Sequence, residues 1–248
     1  MDDAASGWAA ACPATAHVFL DELADDARLV GDEGHHLARV RRVRPGEIVT
    51  AADGVGNWRP YEVGEVAAGT LSLRARAGVR AEPVLTPRLE VAFALTKGAK
   101  PETVVQQLTE LGVDRLRPVW AHRSVVRWDG DRADAALDRF RRIAREAAMQ
   151  CRRARLPAVD APVALGTLAG SDGLVVGDPA APPDAGPGAP AGGVWTAVIG
   201  PEGGFEPGEI AQLGAVERVA VGPHVLRAET AAVAVAAALA VRRRIRHA

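Results

Sequence analysis

The sequence predicts an α/β protein in two parts: a small β-barrel over residues 15–82, and a larger domain over residues 88–248 with a mostly parallel sheet and flanking helices. Three observations predict it. From residue 88 onward, apolar runs of strand length alternate with helical periodicity, the pattern of parallel strands joined by crossovers. Two glycine-bearing segments near the C-terminus each follow a strand-like run and lead into helix-like sequence. Before residue 82 the chain is a series of short strand-like runs punctuated by turn dipeptides.

In the first part the strand-like runs are residues 17–20, 47–51, 59–66 and 70–75, with Asp53-Gly54 and Ala68-Gly69 as turns. One short helix sits around residues 33–42. Frequent short strands with a single helix fit a small barrel. Pro83 and Pro87 mark a linker. Residues 88–95 then read as a buried strand. Pro101 suits the first turn of the next helix, where its missing N–H costs nothing. Val104, Leu108 and Leu111 share one face of that helix, and Gly112 ends it. Residues 115–120 return as a strand. A long helix follows over residues 131–151, with Leu137, Phe140, Ala144, Ala147 and Ala148 as its apolar stripe. Residues 173–178 are a further strand. Residues 180–193, rich in Pro, Gly and Ala without periodicity, read as a flexible excursion. The strands before the two glycine segments are residues 194–199 and 219–221. Residues 231–241 form an unbroken apolar run. A helix apolar on all sides is expected to be buried all round, and a two-fold partner is the most economical second cover.

The 248 residues are 48% apolar and 25% charged, normal for a globular chain. The longest apolar run, eleven residues, is too short to span a bilayer. The N-terminus carries Asp2 and Asp3 and no basic stretch before an apolar one, so no signal peptide is expected. Cys12 and Cys151 read as two reduced thiols of a cytoplasmic protein. His17, His35, His36, His122, His224 and His247 lack metal-ligand spacing, and no metal is expected.

Net charge is −1, but its distribution is uneven. Seven arginines (139, 141, 142, 145, 152, 153, 155) face one acid, Glu146, between residues 139 and 155. Arg39, Arg41, Arg42 and Arg44 form a second cluster, and Arg242, Arg243, Arg244 and Arg246 a third. Clustered arginine engages phosphates at several points, which points to a phosphodiester partner.

The two glycine segments are Gly200-Pro201-Glu202-Gly203-Gly204-Phe205 and Val221-Gly222-Pro223-His224-Val225-Leu226-Arg227-Ala228-Glu229-Thr230-Ala231. Glycine lets main-chain groups approach a ligand closely, and such turns sit at the carboxyl ends of strands, where ligands bind in open α/β sheets. As a pair they resemble the cofactor site of the SPOUT methyltransferases, most closely the RsmE family, and the resemblance runs over nearly the whole chain. His36-Leu37-Ala38-Arg39-Val40-Arg41-Arg42 is similar to a family pattern, with Arg41 where leucine is usual. Leu95-Thr96-Lys97-Gly98-Ala99-Lys100 with Glu102, and Gln150-Cys151-Arg152-Arg153 with Pro157, match further family segments.

The resemblance implies a PUA-like RNA-binding barrel, then a SPOUT domain carrying a deep trefoil knot. It implies methylation of N3 of a uridine in 16S ribosomal RNA with S-adenosylmethionine, by a homodimer. Asp178, Ile199, Gly200, Glu202, Gly203, Val221, Gly222, Val225 and Leu226 are the expected cofactor contacts. Arg227 and Glu229 are the expected catalytic pair: a permanently charged, fork-shaped guanidinium suits an anion, and the carboxylate either accepts a proton or orients Arg227. Arg39, Arg42, Lys97, Lys100, Arg145, Arg152 and Arg153 are the expected RNA contacts. His224 stands where the family often has arginine. The competing reading is an RNA-binding SPOUT protein that acts on another RNA or lacks catalysis. A dinucleotide-dependent dehydrogenase fits poorly, because no Gly-x-Gly-x-x-Gly follows an early strand.

Overall fold

A computed structural model describes residues 8–97, 100–128, 130–182 and 186–245. Gly98, Ala99, Arg246 and His247 lie outside the described residues. The chain divides into two compact units, Met1–Val84 with Arg145–Leu156, and Leu85–Ala144 with Pro157–Ala248.

The first unit holds strands β1 (Ala16–Phe19), β2 (Asp26–Leu29), β3 (Ile48–Ala52), β4 (Asn57–Ala67), β5 (Thr70–Ala75) and β6 (Arg80–Ala81), and helix α1 (Gly31–His36), which runs on as a π-helical turn over Leu37–Arg41. The sheet is ordered β1-β3-β4-β5-β2, with β6 also on β4. Only β1 and β3 pair in parallel. The Asp53-Gly54 turn is built by its own side chain. Asp53 Oδ1 accepts the Val55 and Asn57 N–H groups at 2.8 and 3.0 Å, and Gly54 sits at φ +81°. Such Asx geometry explains that residue pair. Strand β2 was not expected: it is short, and only Leu29 is buried.

Three of the arginines expected to meet RNA have partners within this unit. Arg145 pairs with Glu33 at 2.7 Å and lies 4.8 Å from the centre of the Phe19 ring. Arg152, in left-handed backbone at φ +58°, donates to the Cys12 and Ala14 carbonyls. Arg153 is 8% exposed, and its charge bears on buried Glu82. The reason is composition: the unit's hydrophobic clusters leave several main-chain carbonyls and acids that need donors, and long guanidinium side chains reach them. Arg39 and Arg42 are exposed.

The second unit holds β7 (Arg88–Ala94), α2 (Lys100–Glu110), β8 (Arg115–Trp120), the first part of α3 (Gly130–Cys151), β9 (Ala158–Val159), β10 (Val163–Ala164), β11 (Leu174–Gly177), β12 (Val194–Ile199), α4 (Pro207–Leu213), β13 (Glu217–Val219) and α5 (Ala228–Ile245). The strand order is β10-β8-β7-β12-β11-β13, with β9 also on β8, and every pairing is parallel. Strands β7 and β12 are buried almost throughout, as strands covered on both faces must be. Leu89, Val91, Phe93, Trp195, Ala197 and Ile199 pack beneath α2 and α5, and Ala92, Val119, Val176 and Val198 pack with Leu165, Leu168 and Leu213 on the other face.

Helix α5 is fixed by a buried charge. Arg243, 3% exposed, donates to Asp114 at 2.6 Å and to the Gly112 carbonyl at 2.8 Å. Asp114 also accepts the Leu89 N–H at the start of β7. Within the single chain α5 buries Ala228, Ala232, Val235, Ala236, Leu239 and Arg243, while Val241 and Ile245 are 60% and 71% exposed. Strand β13 ends at Val219, so Val221 belongs to the following loop. The described part of the 180–193 segment contains no helix or strand but is tied down, with Trp195 Nε1 donating to the Gly188 carbonyl at 2.9 Å.

One ionisable group in the first unit has a clear consequence. His17 is 4% exposed, and its Nδ1 lies 2.8 Å from Thr50 Oγ1 on the paired strand. Burial first, with the Arg152 charge, lowers its pKa from 6.5 to about 4, against a smaller opposing hydrogen bond to the Arg153 backbone. The unfolded chain therefore binds the extra proton between those two values, and stability falls as pH drops through that window. Chemical denaturation should show a loss approaching ~3 kcal/mol between pH 7 and pH 4 from this group. His17→Gln should flatten that part of the profile, and identical slopes for the two proteins would refute the assignment.

Candidate active site

The carboxyl ends of β11, β12 and β13 open onto a cleft of about 740 Å³. Strand β11 contributes Gly177 and leads to Asp178. Strand β12 contributes Ile199 and leads to Gly200, Pro201, Glu202 and Gly204. The segment after β13 contributes Val221, Gly222, His224, Val225 and Leu226, and α5 contributes Ala231 and Val235. Eight of the nine expected cofactor contacts thus converge on one cavity.

The glycines of this cleft differ in what a side chain would meet. A Cβ on Gly177 would lie 2.8 Å from Ile199 Cδ1, and one on Gly200 would lie 3.1 Å from the Phe205 ring. Both are glycine because neighbouring side chains occupy the space. A Cβ on Gly222 would have no protein atom within 4 Å. Gly203 is the ninth expected contact, and it is not among the residues that line the cleft. Its carbonyl accepts from Arg123 Nη1 at 2.9 Å, and a Cβ there would lie 3.3 Å from the Arg123 Cβ. Gly204, at φ +69°, takes the left-handed position of the turn, and its N–H bonds the Pro201 carbonyl at 2.8 Å.

Asp178 is held at the sheet edge. Its N–H donates to the Val219 carbonyl at 2.9 Å, and its carboxylate accepts the Ala180 N–H and pairs with Arg218, another cleft residue. Arg227 is exposed just before α5. Glu229, in the first turn of α5, is held by Lys100, whose Nζ lies 3.2 Å from Glu229 Oε1. Burial works to raise the Glu229 pKa. It is outweighed by the residue's own backbone N–H and by the Lys100 and Arg227 charges, which keep the carboxylate below its ordinary range. That makes Glu229 a weak proton acceptor at neutral pH. Lys100, expected on RNA phosphate, is engaged inside the unit, whereas Lys97 is exposed.

Residues of the loop after β8 were missed. His122 Nδ1 lies 3.0 Å from Glu206 Oε1, and the His122 N–H donates to Glu209. Glu206 and Glu209 form the capping box that starts α4, with Pro207 at its first position. The spacing Glu206-Pro207-Gly208-Glu209 was the available signal for that helix start. Nothing local marked His122, Arg123 or Arg218. Among the described residues no group of three His, Cys, Asp or Glu side chains is placed to hold a metal ion, and no helix is long and apolar enough to cross a membrane.

This arrangement is shared with known proteins. A model of the RNA methyltransferase domain matches residues 84–240, and one of the RNA methyltransferase PUA domain matches residues 29–75. Ribosomal RNA small subunit methyltransferase E of Mycobacterium tuberculosis is 39% identical over 229 residues, which cover 86% of this chain and 87% of that protein. The chain belongs to the RsmE family of SPOUT methyltransferases. A Legionella pneumophila chain described as a methyltransferase, solved in complex with the bound cofactor SAM (S-adenosylmethionine), superposes with a TM-score of 0.76 at 26% identity, covering 91% of this chain and 97% of that one. The RsmE enzyme of Neisseria gonorrhoeae, at 24% identity, shares the fold with a TM-score of 0.80 over 92% of this chain and 97% of its own.

The cleft of this RsmE family member fits SAM by its own chemistry. Ligand pockets of a few hundred Å³ combine apolar walls with a few fixed polar groups. Ile199, Val225 and Leu226 line the cleft with apolar side chains, and Gly200 and Gly222 line it with none. Gly222→Val should leave the unfolding free energy within ~0.5 kcal/mol of wild type, as for other substitutions into open space. The same change should weaken SAM binding by roughly tenfold or more, because a branched side chain would stand where ligand meets bare backbone. Calorimetric titration that found unchanged affinity in a folded variant would remove Gly222 from the site.

Proposed function

We propose that this chain transfers the methyl group of SAM to N3 of a uridine in 16S ribosomal RNA. The observation that carries the methyltransferase reading is the convergence of both glycine segments on one cleft at the carboxyl edge of the parallel sheet. Support for uridine N3 comes from the likeness of Gly200–Phe205 and Leu226–Ala231 to the RsmE motifs. The family's trefoil knot belongs to the same proposal.

SAM supplies an electrophilic methyl on a sulfonium. The chain must make a poor nucleophile attack it, since uridine N3 carries a proton at neutral pH. The N3 proton is lost to solvent first and leaves an anion spread over the flanking carbonyl oxygens. The N–C bond then forms as the sulfonium C–S bond breaks, releasing a neutral thioether. Arg227, exposed beside Leu226 of the cleft, is the group we assign to that charge, being a permanent cation with a planar fork of donors. Glu229 stays ionised and paired with Lys100, so its role is to hold the start of α5 and not to accept the proton. Arg39, Arg42 and Lys97, all exposed, are the groups we assign to RNA phosphates.

Mass spectrometry of 16S ribosomal RNA from a deletion strain, with and without the purified protein added back, tests the reaction directly. In single-turnover assays Arg227→Ala should lower the methyl-transfer rate by about a hundredfold or more, the usual cost of losing one preorganised stabiliser of developing charge. SAM affinity should change little. A rate within a few-fold of wild type would leave Arg227 outside the chemistry.

We also propose a homodimer that uses the outward face of α5. Val241 and Ile245 are large, apolar and exposed on a helix whose other face is already packed. A two-fold partner covers such a face with a second copy of itself. Light scattering at micromolar concentration should give twice the chain mass, and Val241→Glu with Ile245→Glu should lower it. A mass near one chain for the wild type would refute the dimer.

A further inference from the structure

Lys100 opens α2 and belongs to neither glycine segment, yet its ammonium touches both. Its Nζ lies 3.2 Å from Glu229 Oε1 and 3.7 Å from Glu202 Oε1. Glu202 lines the cleft on the turn after β12. Glu229 stands three residues beyond Leu226, which lines the opposite segment. One cation from a third element therefore bridges the two pieces of chain that form the cleft. Glu229 has its second oxygen, Oε2, buried with no hydrogen-bond partner among the described residues, and Lys100 offsets its charge together with the residue's own N–H and the Arg227 guanidinium. Without the ammonium, carboxylates on the two segments would lose the cation they share. The Lys100 side chain is 38% exposed, and ion pairs this open contribute little to global stability. Any consequence should appear in the geometry of the cleft.

Resting on the methyltransferase reading above, we propose that Lys100 is a positioning residue that acts through Glu202 and Glu229 to set the separation of the two segments of the SAM cleft, and that it does not contact RNA phosphate. The same residue type in the same loop region would serve as a phosphate contact if it were free. Here its charge is already shared by two acids.

The test is SAM calorimetry, together with the salt dependence of RNA methylation, on the full-length protein. Lys100→Met should weaken SAM binding about fivefold, the size of one modest polar interaction, while the thermal transition stays at the wild-type temperature. Lys100→Arg, which keeps the cation, should recover most of that loss. In the Glu202→Gln, Glu229→Gln background, Lys100→Met should have little further effect, because contacting groups are not additive. The slope of log KM for RNA against log salt should be unchanged. Equal SAM affinity for Lys100→Met and wild type, with a salt slope smaller by about one, would overturn the proposal and return Lys100 to the RNA surface. A wild-type protein that bound no SAM would instead refute the methyltransferase reading itself.

Discussion

Seven parallel strands cannot be joined by tight turns. A connection between neighbouring strands must cross a face of the sheet, and every strand must deliver its carboxyl end to the same edge. In this chain that constraint brings together residues far apart in sequence. The ends of β11, β12 and β13 stand side by side because β12 pairs β11 and β11 pairs β13. Asp178 strengthens that edge with its N–H on Val219 and its carboxylate on Arg218. The cleft follows from the ladder, and the glycines follow from the cleft. Gly177 and Gly200 let Ile199 and Phe205 close the floor, while Gly222 leaves main chain facing open space.

Electrostatics then sort the cations by what surrounds them. A guanidinium buried next to an acid is costly to leave unpaired, so the inward arginines each have fixed partners. Arg243 clamps α5 to Asp114 and the Gly112 carbonyl, Arg145 sits on Phe19 and Glu33, and Arg152 satisfies carbonyls at Cys12 and Ala14. Arginines spent on such partners are unavailable to a phosphate, while others, Arg39, Arg42 and Arg227 among them, stay outward.

The larger elements were legible because their signals are local and strong. Residues 194–199 and 115–120 read as strands from uninterrupted apolar or β-prone runs, and α3 from its periodic stripe. Short edge strands such as β2, β9 and β10 were not legible, since two to four residues with one or no buried side chain carry no periodicity. The cleft was legible through glycine, whose conformational freedom marks close approach of backbone. Side-chain partnerships were not: the same Arg-rich run of 139–155 includes exposed Arg142 and buried Arg153, and only the fold decides between them. Likewise Glu229 was expected to act with Arg227, and it is the distant Lys100 that holds it.

The first unit is discontinuous in sequence. Its core includes Ala148 and Ala154, and its polar ties include Arg145 and Arg152, all supplied by residues 145–156. A chain leaving the ribosome has therefore already released β7, α2 and β8 before the last pieces of the first unit arrive. A fragment ending at the linker would lack the side chains that residues 145–156 add to that unit. An exchange of the barrel between relatives would have to carry a twelve-residue segment from the middle of the neighbouring sequence along with it.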